Sequence, residues 1–119
     1  MNIVSVILTV LVALEFFYIM YLETFATTSA STSRVFKISK EKLQDANVNV
    51  LLKNQGVYNG VIGLVLLYAV AFASHPKEMV AVILVYIIIV AIYGGLSSDK
   101  SIILKQGGLP LITLISLFF

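Results

Sequence analysis

The chain contains no cysteine. That absence excludes disulfides, thiolate catalysis and thiolate metal sites together. Charge is scarce as well. Only 12% of the 119 residues are Asp, Glu, Lys or Arg, and the net charge is +2. There is one histidine, His75. No glycine-rich phosphate loop is present, and no nucleophile is paired with a histidine. What remains is apolar: 60% of residues are hydrophobic and the mean hydropathy is +1.03. A soluble domain of this size would expose much of that surface. The pI near 8.9 reflects the small net charge. The basic residues lie beside apolar runs, so no nucleic-acid partner is expected.

A membrane-spanning helix takes about 20 mainly apolar residues. Four runs fit, at 3–22, 52–73, 79–96 and 101–119. The expected fold class is all-α, a polytopic membrane protein built as a four-transmembrane-helix bundle. Residues 1–119 then form a single membrane domain, with no room for a soluble one. The first run is expected to be a retained span rather than a signal peptide. It has no basic lead, is too long for a signal core and is interrupted by Glu15. A Ser/Thr-rich stretch follows at 27–33, then a basic segment from Arg34 to Lys42. Ser39 is placed to cap a helix with Glu41 in its first turn. Leu43, Val50 and Leu51 recur at helical spacing. Together they predict a short interfacial helix over about 39–50. Pro76 should end the second span. Gly107, Gly108 and Pro110 predict a kink in the fourth.

The basic residues are unevenly distributed. Arg34, Lys37, Lys40 and Lys42 fall between the first two spans and Lys53 at the very start of the second, and Lys100 and Lys105 follow the third; Lys77 alone lies on the other side. Basic residues in short loops face the cytoplasm. The expectation is a multi-pass protein of the cell membrane, with loops 1–2 and 3–4 cytoplasmic and both termini outside. Arg34, Lys37, Lys40 and Lys42 are the candidate contacts to lipid headgroups.

That orientation gathers the intramembrane polar residues in one leaflet. Glu23 ends the first span on the cytoplasmic side, and Glu15 lies eight residues back, roughly 12 Å deeper at the helical rise. Asn54, Gln55, Tyr58 and Asn59 open the second span there. Tyr93 closes the third, and Gln106 sits early in the fourth. Glu15 and Tyr18 share a helix face, as do Gln55 and Asn59. A carboxylate in hydrocarbon costs roughly 2.5–3.5 kcal/mol even on lenient insertion scales. Glu15 is therefore expected to be neutral, or hydrogen-bonded to an Asn, Gln or Tyr. Gly56 and Gly60 make a G-x-x-x-G spacing, with Gly63 near the same face. Such a stripe lets another helix approach closely. The ligand-binding or proton-carrying candidates are thus Glu15, Tyr18, Glu23, Asn54, Gln55, Tyr58, Asn59, Tyr93 and Gln106. His75 lies on the opposite side from Glu15 and Glu23, so no metal site is expected, and no cofactor is implied.

Four stretches occur together: Ala13-Leu-Glu-Phe-Phe-Tyr-Ile-Met-Tyr-Leu-Glu-Thr-Phe25, Asn54-Gln-Gly-Val-Tyr-Asn-Gly60, Ile92-Tyr-Gly94, and Gln106-Gly with Pro110 beyond it. In that order and at those separations the chain resembles the small bacterial membrane proteins of domain-of-unknown-function family 1304. Members often carry His after the first Glu and Trp after the Phe of Glu-x-Phe; here those positions are Phe16 and Ala26. The resemblance implies a four-helix integral membrane protein and supplies no activity.

Three functional classes fit these residues. In the first, a polar intramembrane pocket in the cytoplasmic leaflet binds or transports a small amphipathic or lipid-like molecule. In the second, Glu15 or Glu23 acts as acid or base on a lipophilic substrate. In the third, the chain is a non-catalytic structural or regulatory membrane subunit. Membrane lipids are the expected partners, and a homo-oligomer is compatible with all three. Single-cysteine labelling tests the orientation. Ser33→Cys and Ser98→Cys should react only from the cytoplasmic side and Ser74→Cys only from outside. Labelling of Ser74→Cys from the inside overturns it.

Overall fold

The computed structural model describes residues 1–119, and its regular elements are all helices. In chain order they are α1 (Ile3–Met20), which runs on into a π-helical turn (Tyr21–Phe25), α2 (Ala30–Phe36), α3 (Lys40–Gln44), α4 (Ala46–Phe72), α5 (Pro76–Ser97) and α6 (Ser101–Ser116). Three helical segments are long and apolar enough to cross a membrane: Ile3–Phe25, Ala46–Phe72 and Pro76–Ser97. The fourth expected span is shorter. α6 has 16 residues, about 24 Å at the helical rise, against roughly 30 Å of hydrocarbon. Length and composition thus support three spans where four were expected.

Helix ends follow local chemistry. Ser39 caps α3 by accepting from the Lys42 amide at 3.3 Å. The helix expected over 39–50, however, is only Lys40–Gln44 long. Asp45 is the reason. Its Oδ1 accepts from the Asn47 and Val48 amides at 3.0 and 3.2 Å, which makes it the N-cap of a new helix. Ala46 therefore already belongs to α4. The Ser/Thr-rich stretch also forms structure that its composition did not suggest. Ser29 caps α2 through the Thr32 amide at 3.2 Å, and α2 ends at Lys37 in the left-handed region (φ 54°). Pro76 occupies the first turn of α5, where its missing N–H costs nothing. Pro110 lies inside α6 without ending it.

The chain divides into two compact units, one of residues 1–13 and 64–119, the other of residues 14–63. In the first unit, α5 and α6 form an antiparallel pair joined by a short turn. A stripe of Val80, Leu84, Ile87, Ala91 and Gly95 is buried along α5, at the 3–4 residue spacing of one helix face. Gly107 of α6 lies against Ala91, and Gly95 lies against Ile103. At the far end of α6, the buried Ser5 hydroxyl is 2.9 Å from that of Ser116 and 3.1 Å from its carbonyl. Thr9 turns back to the Ser5 carbonyl at 2.7 Å.

In the second unit, α4 approaches the π turn of the first span along Gly56 and Gly60. A β-carbon on Gly56 would strike the Thr24 hydroxyl and come within 3.0 Å of the Thr24 backbone nitrogen. One on Gly60 would strike the Met20 sulfur. Backbone cannot yield as a thioether side chain can. Gly56→Ala should therefore cost roughly 1–3 kcal/mol, the usual scale of overpacking, and Gly60→Ala distinctly less. Thermal melts of the two variants in the same detergent check this order.

Candidate functional site

The buried face of the first span recurs at Ser5, Thr9, Val12, Phe16, Ile19 and Leu22. Those spacings of three and four residues trace one side of a helix. At Tyr21–Phe25 the helix widens, and the Ala26 amide bonds to the Tyr21 carbonyl at 2.8 Å. Glu23, four residues past Ile19, continues the buried face, and Leu22 beside it is buried as well. Glu23 ends 3% exposed, the one acidic side chain among the buried residues. Wide turns of this type recur at functional sites.

Opposite it stands the glycine face of α4. Asn59 lies three residues past Gly56 and next to Gly60, where the backbones are close enough for its side chain to reach across. Its Nδ2 donates to Glu23 Oε1 at 2.6 Å. A second bond ties the same two segments, with the Thr24 hydroxyl donating to the Lys53 carbonyl at 2.9 Å. Threonines complete the turn. Thr27 donates to the Glu23 carbonyl at 2.7 Å, and Thr32 reaches the carbonyls of Leu22 and Ala26 at 2.9 and 2.7 Å. The π turn is thus held by hydroxyl groups from the segment that follows it, including the first turn of α2.

The other site candidates are placed as follows. Glu15 is half-buried, one residue off the core stripe, and its Oε1 is buried with no hydrogen-bond partner. Tyr18 is exposed and stacks on Tyr21, with ring centroids 6.5 Å apart. Asn54, Gln55 and Tyr58 are exposed, away from the buried Gly56, Gly60 and Gly63. Tyr93, exposed, and Gln106, half-buried, belong to the other unit. Arg34, Lys37, Lys40 and Lys42 are all exposed on and between α2 and α3. The bond that the structure makes from the candidate set is Asn59 to Glu23. The supporting threonines Thr24, Thr27 and Thr32 were not among the candidates. Thr27 alone had a signal in sequence, a hydroxyl four positions after Glu23, which lets it bond back to a helix carbonyl; Thr24 and Thr32 bond at longer range.

The amino-acid sequence is matched over residues 10–118 by a family model described as "Protein of unknown function (DUF1304)". The chain belongs to this family. It is 60% identical, over the full 119 residues of both chains, to the uncharacterized protein YpaA of Lactococcus lactis subsp. lactis (strain IL1403). No solved structure matches it. The matched region takes in Glu15, Glu23 and Asn59 but begins after Ser5 and Thr9.

Chemically, the site is a carboxylate in an apolar span whose side-chain partner is a neutral amide. Removing that amide leaves a buried acceptor unpaired, which costs about 1–3 kcal/mol and more if the group is charged. Asn59→Leu should therefore destabilise the protein by at least that much. Glu23→Gln should cost less, because an oxygen remains for Asn59 to reach. In the Glu23→Leu/Asn59→Leu pair the costs should fail to add, with a coupling of about 0.6–1.7 kcal/mol, the range for hydrogen bonds between membrane helices. Unfolding of the four proteins in one micelle system measures it; a coupling of zero means that the two side chains do not interact.

Proposed function

We propose that the chain is a multi-pass membrane protein that binds a small amphipathic or lipid-like molecule through Glu23 and Asn59, near the cytoplasmic face. The observation that carries this reading is the burial of the Glu23 carboxylate against a neutral partner. A buried polar pair is rarely needed for stability alone, since apolar side chains of similar volume pack at equal or lower cost. Ionisable residues within spans most often serve ligands, ions or protons. A ligand with an ammonium or a hydroxyl group would supply the donor or the counter-charge that an amide does not. Asn59 holds the carboxylate in one rotamer, and the π turn keeps its backbone fixed. Glu15, eight residues earlier and with a buried oxygen lacking a partner, is the second acidic group and the candidate for carrying a proton or cation. The uneven Lys and Arg distribution supports a cytoplasmic placement of this end of the first span.

A structural reading is favoured by one feature. The Thr24–Lys53 bond and the Gly56 approach lie beside the carboxylate, so the whole group could serve only to clamp two helices. Glu23→Gln and Glu15→Gln separate the readings. Each keeps the shape of the side chain and removes its ionisable proton. On the binding reading, both variants keep near wild-type melting temperatures. Glu23→Gln then loses small molecules that co-purify with the wild type, as read by mass spectrometry of the solubilised protein. Glu15→Gln changes the pH dependence of that retention and leaves the part that Glu23 itself contributes. Wild-type retention and phenotype in both variants would leave the clamp as the function of the pair.

A further inference from the structure

Within the first unit, the α4–α5 turn heads an open groove of about 550 Å3. Its walls are apolar, from Val65 and Tyr68 of α4 and from Met79 and Val82 of α5; Ser74, His75 and Glu78 form its polar end. The volume falls in the range of small-ligand sites, about 300–1,000 Å3. Helical spacing accounts for the lining. Val65 and Tyr68 are three residues apart, and Glu78 and Val82 four, so each pair shares a helix face. Val65 lies nine residues before Ser74, so the groove runs roughly 13 Å down the helices from the turn. Charge is unevenly placed around that turn. Ser74, His75 and Glu78 also border the cleft on the other side, beside Leu117 and Phe118, but Lys77 borders only that cleft. The groove itself is lined by one carboxylate and by no lysine or arginine.

We propose that this groove binds a lipophilic cation, a single positive centre on an apolar body, with the positive centre at Glu78. The occupant follows from charge. An anionic head at the turn would meet Glu78 with no lysine or arginine along the groove to offset it. A neutral body would leave the carboxylate without a counter-charge. A cation satisfies it. The walls suit the rest of the molecule. Tyr68, its ring centroid 5.9 Å from that of Phe72, gives a flat aromatic surface, and the flexible thioether of Met79 fits irregular shapes. Placed in a membrane, the turn lies at the boundary of water and hydrocarbon, so the charge of the ligand stays at the wet end while its body lies along the helices. Glu78 also has a plainer role. An acid in the first turn of a helix complements the helix dipole, and Glu78 holds that place in α5. That role is indifferent to the charge of a ligand. The site involves neither Glu23 nor Asn59, which belong to the other unit.

Equilibrium dialysis of the full chain in a non-ionic detergent tests this with tetraphenylphosphonium and tetraphenylborate, a cation and an anion of nearly the same size. Uptake by protein-free micelles is subtracted. The wild type should bind the phosphonium saturably and the borate several-fold more weakly. Glu78→Gln, at an exposed position, should lose the phosphonium several-fold. Glu78→Lys should reverse the preference between the two ions, which loss of a helix-dipole contact alone cannot do. Val82→Trp, filling the groove from an exposed position, should weaken the phosphonium. Lys77→Gln, outside the groove, should leave the preference for the cation in place. Melting temperatures without ligand check that each variant is folded. Equal binding of the two ions by the wild type overturns the proposal, as does phosphonium binding that is unchanged in Glu78→Gln or in Val82→Trp.

Discussion

A carboxylate placed inside an apolar helix pair has to be met by something, and in the second unit much of the local architecture follows from that demand. Glu23 points inward on the buried face of the first span, four residues past Ile19, within the π turn that ends it. The α4 backbone can come near because positions 56 and 60 carry no side chain. Asn59 can then close the gap at 2.6 Å. Each feature would be a liability alone. A wide turn frees backbone groups, glycines weaken a helix, and a buried acid is costly to desolvate. Together they make one satisfied polar contact.

The segment after the first span serves the same contact. Thr27 and Thr32 bond carbonyls of Leu22, Glu23 and Ala26, and Thr32 is itself held by the Ser29 cap of α2. The connection then continues through α3 and the Asp45 cap into α4. The basic residues ride on its outside. One short stretch thus carries hydroxyls that hold the π turn and basic side chains that stay exposed.

The first unit meets its needs by smaller means. α5 and α6 pack through Ala91, Gly95 and Gly107, and Ser5, Thr9 and Ser116 exchange short hydroxyl bonds. Such small residues let helices pack where water offers no hydrophobic drive between them. Ionisable groups on its surface lie mainly at helix ends and connections, at Lys77, Glu78, Lys100 and Lys105. The buried acid therefore belongs to the second unit.

The sequence by itself determined whatever depends on local composition. Apolar runs of sufficient length identify the three long helices, Ser39 starts α3, and the turn at Pro76 separates α4 from α5, because caps and proline act through immediate neighbours. The family was legible too, from motifs spread over most of the chain. The tertiary structure decided what depends on helix phase. Glu15 drew attention because it interrupts a run, yet a run has no direction; one position off the core stripe, it makes no polar contact. Glu23 stands at the end of the same run and on the core stripe, four residues past Ile19. Gln55 and Asn59 are a helical turn apart, but the approach along Gly56 and Gly60 selects Asn59. The break at Asp45 was hidden for a similar reason. The apolar spacing on either side of it continues without interruption, and only the direction of its carboxylate, toward the amides of Asn47 and Val48, ends one helix and begins the next.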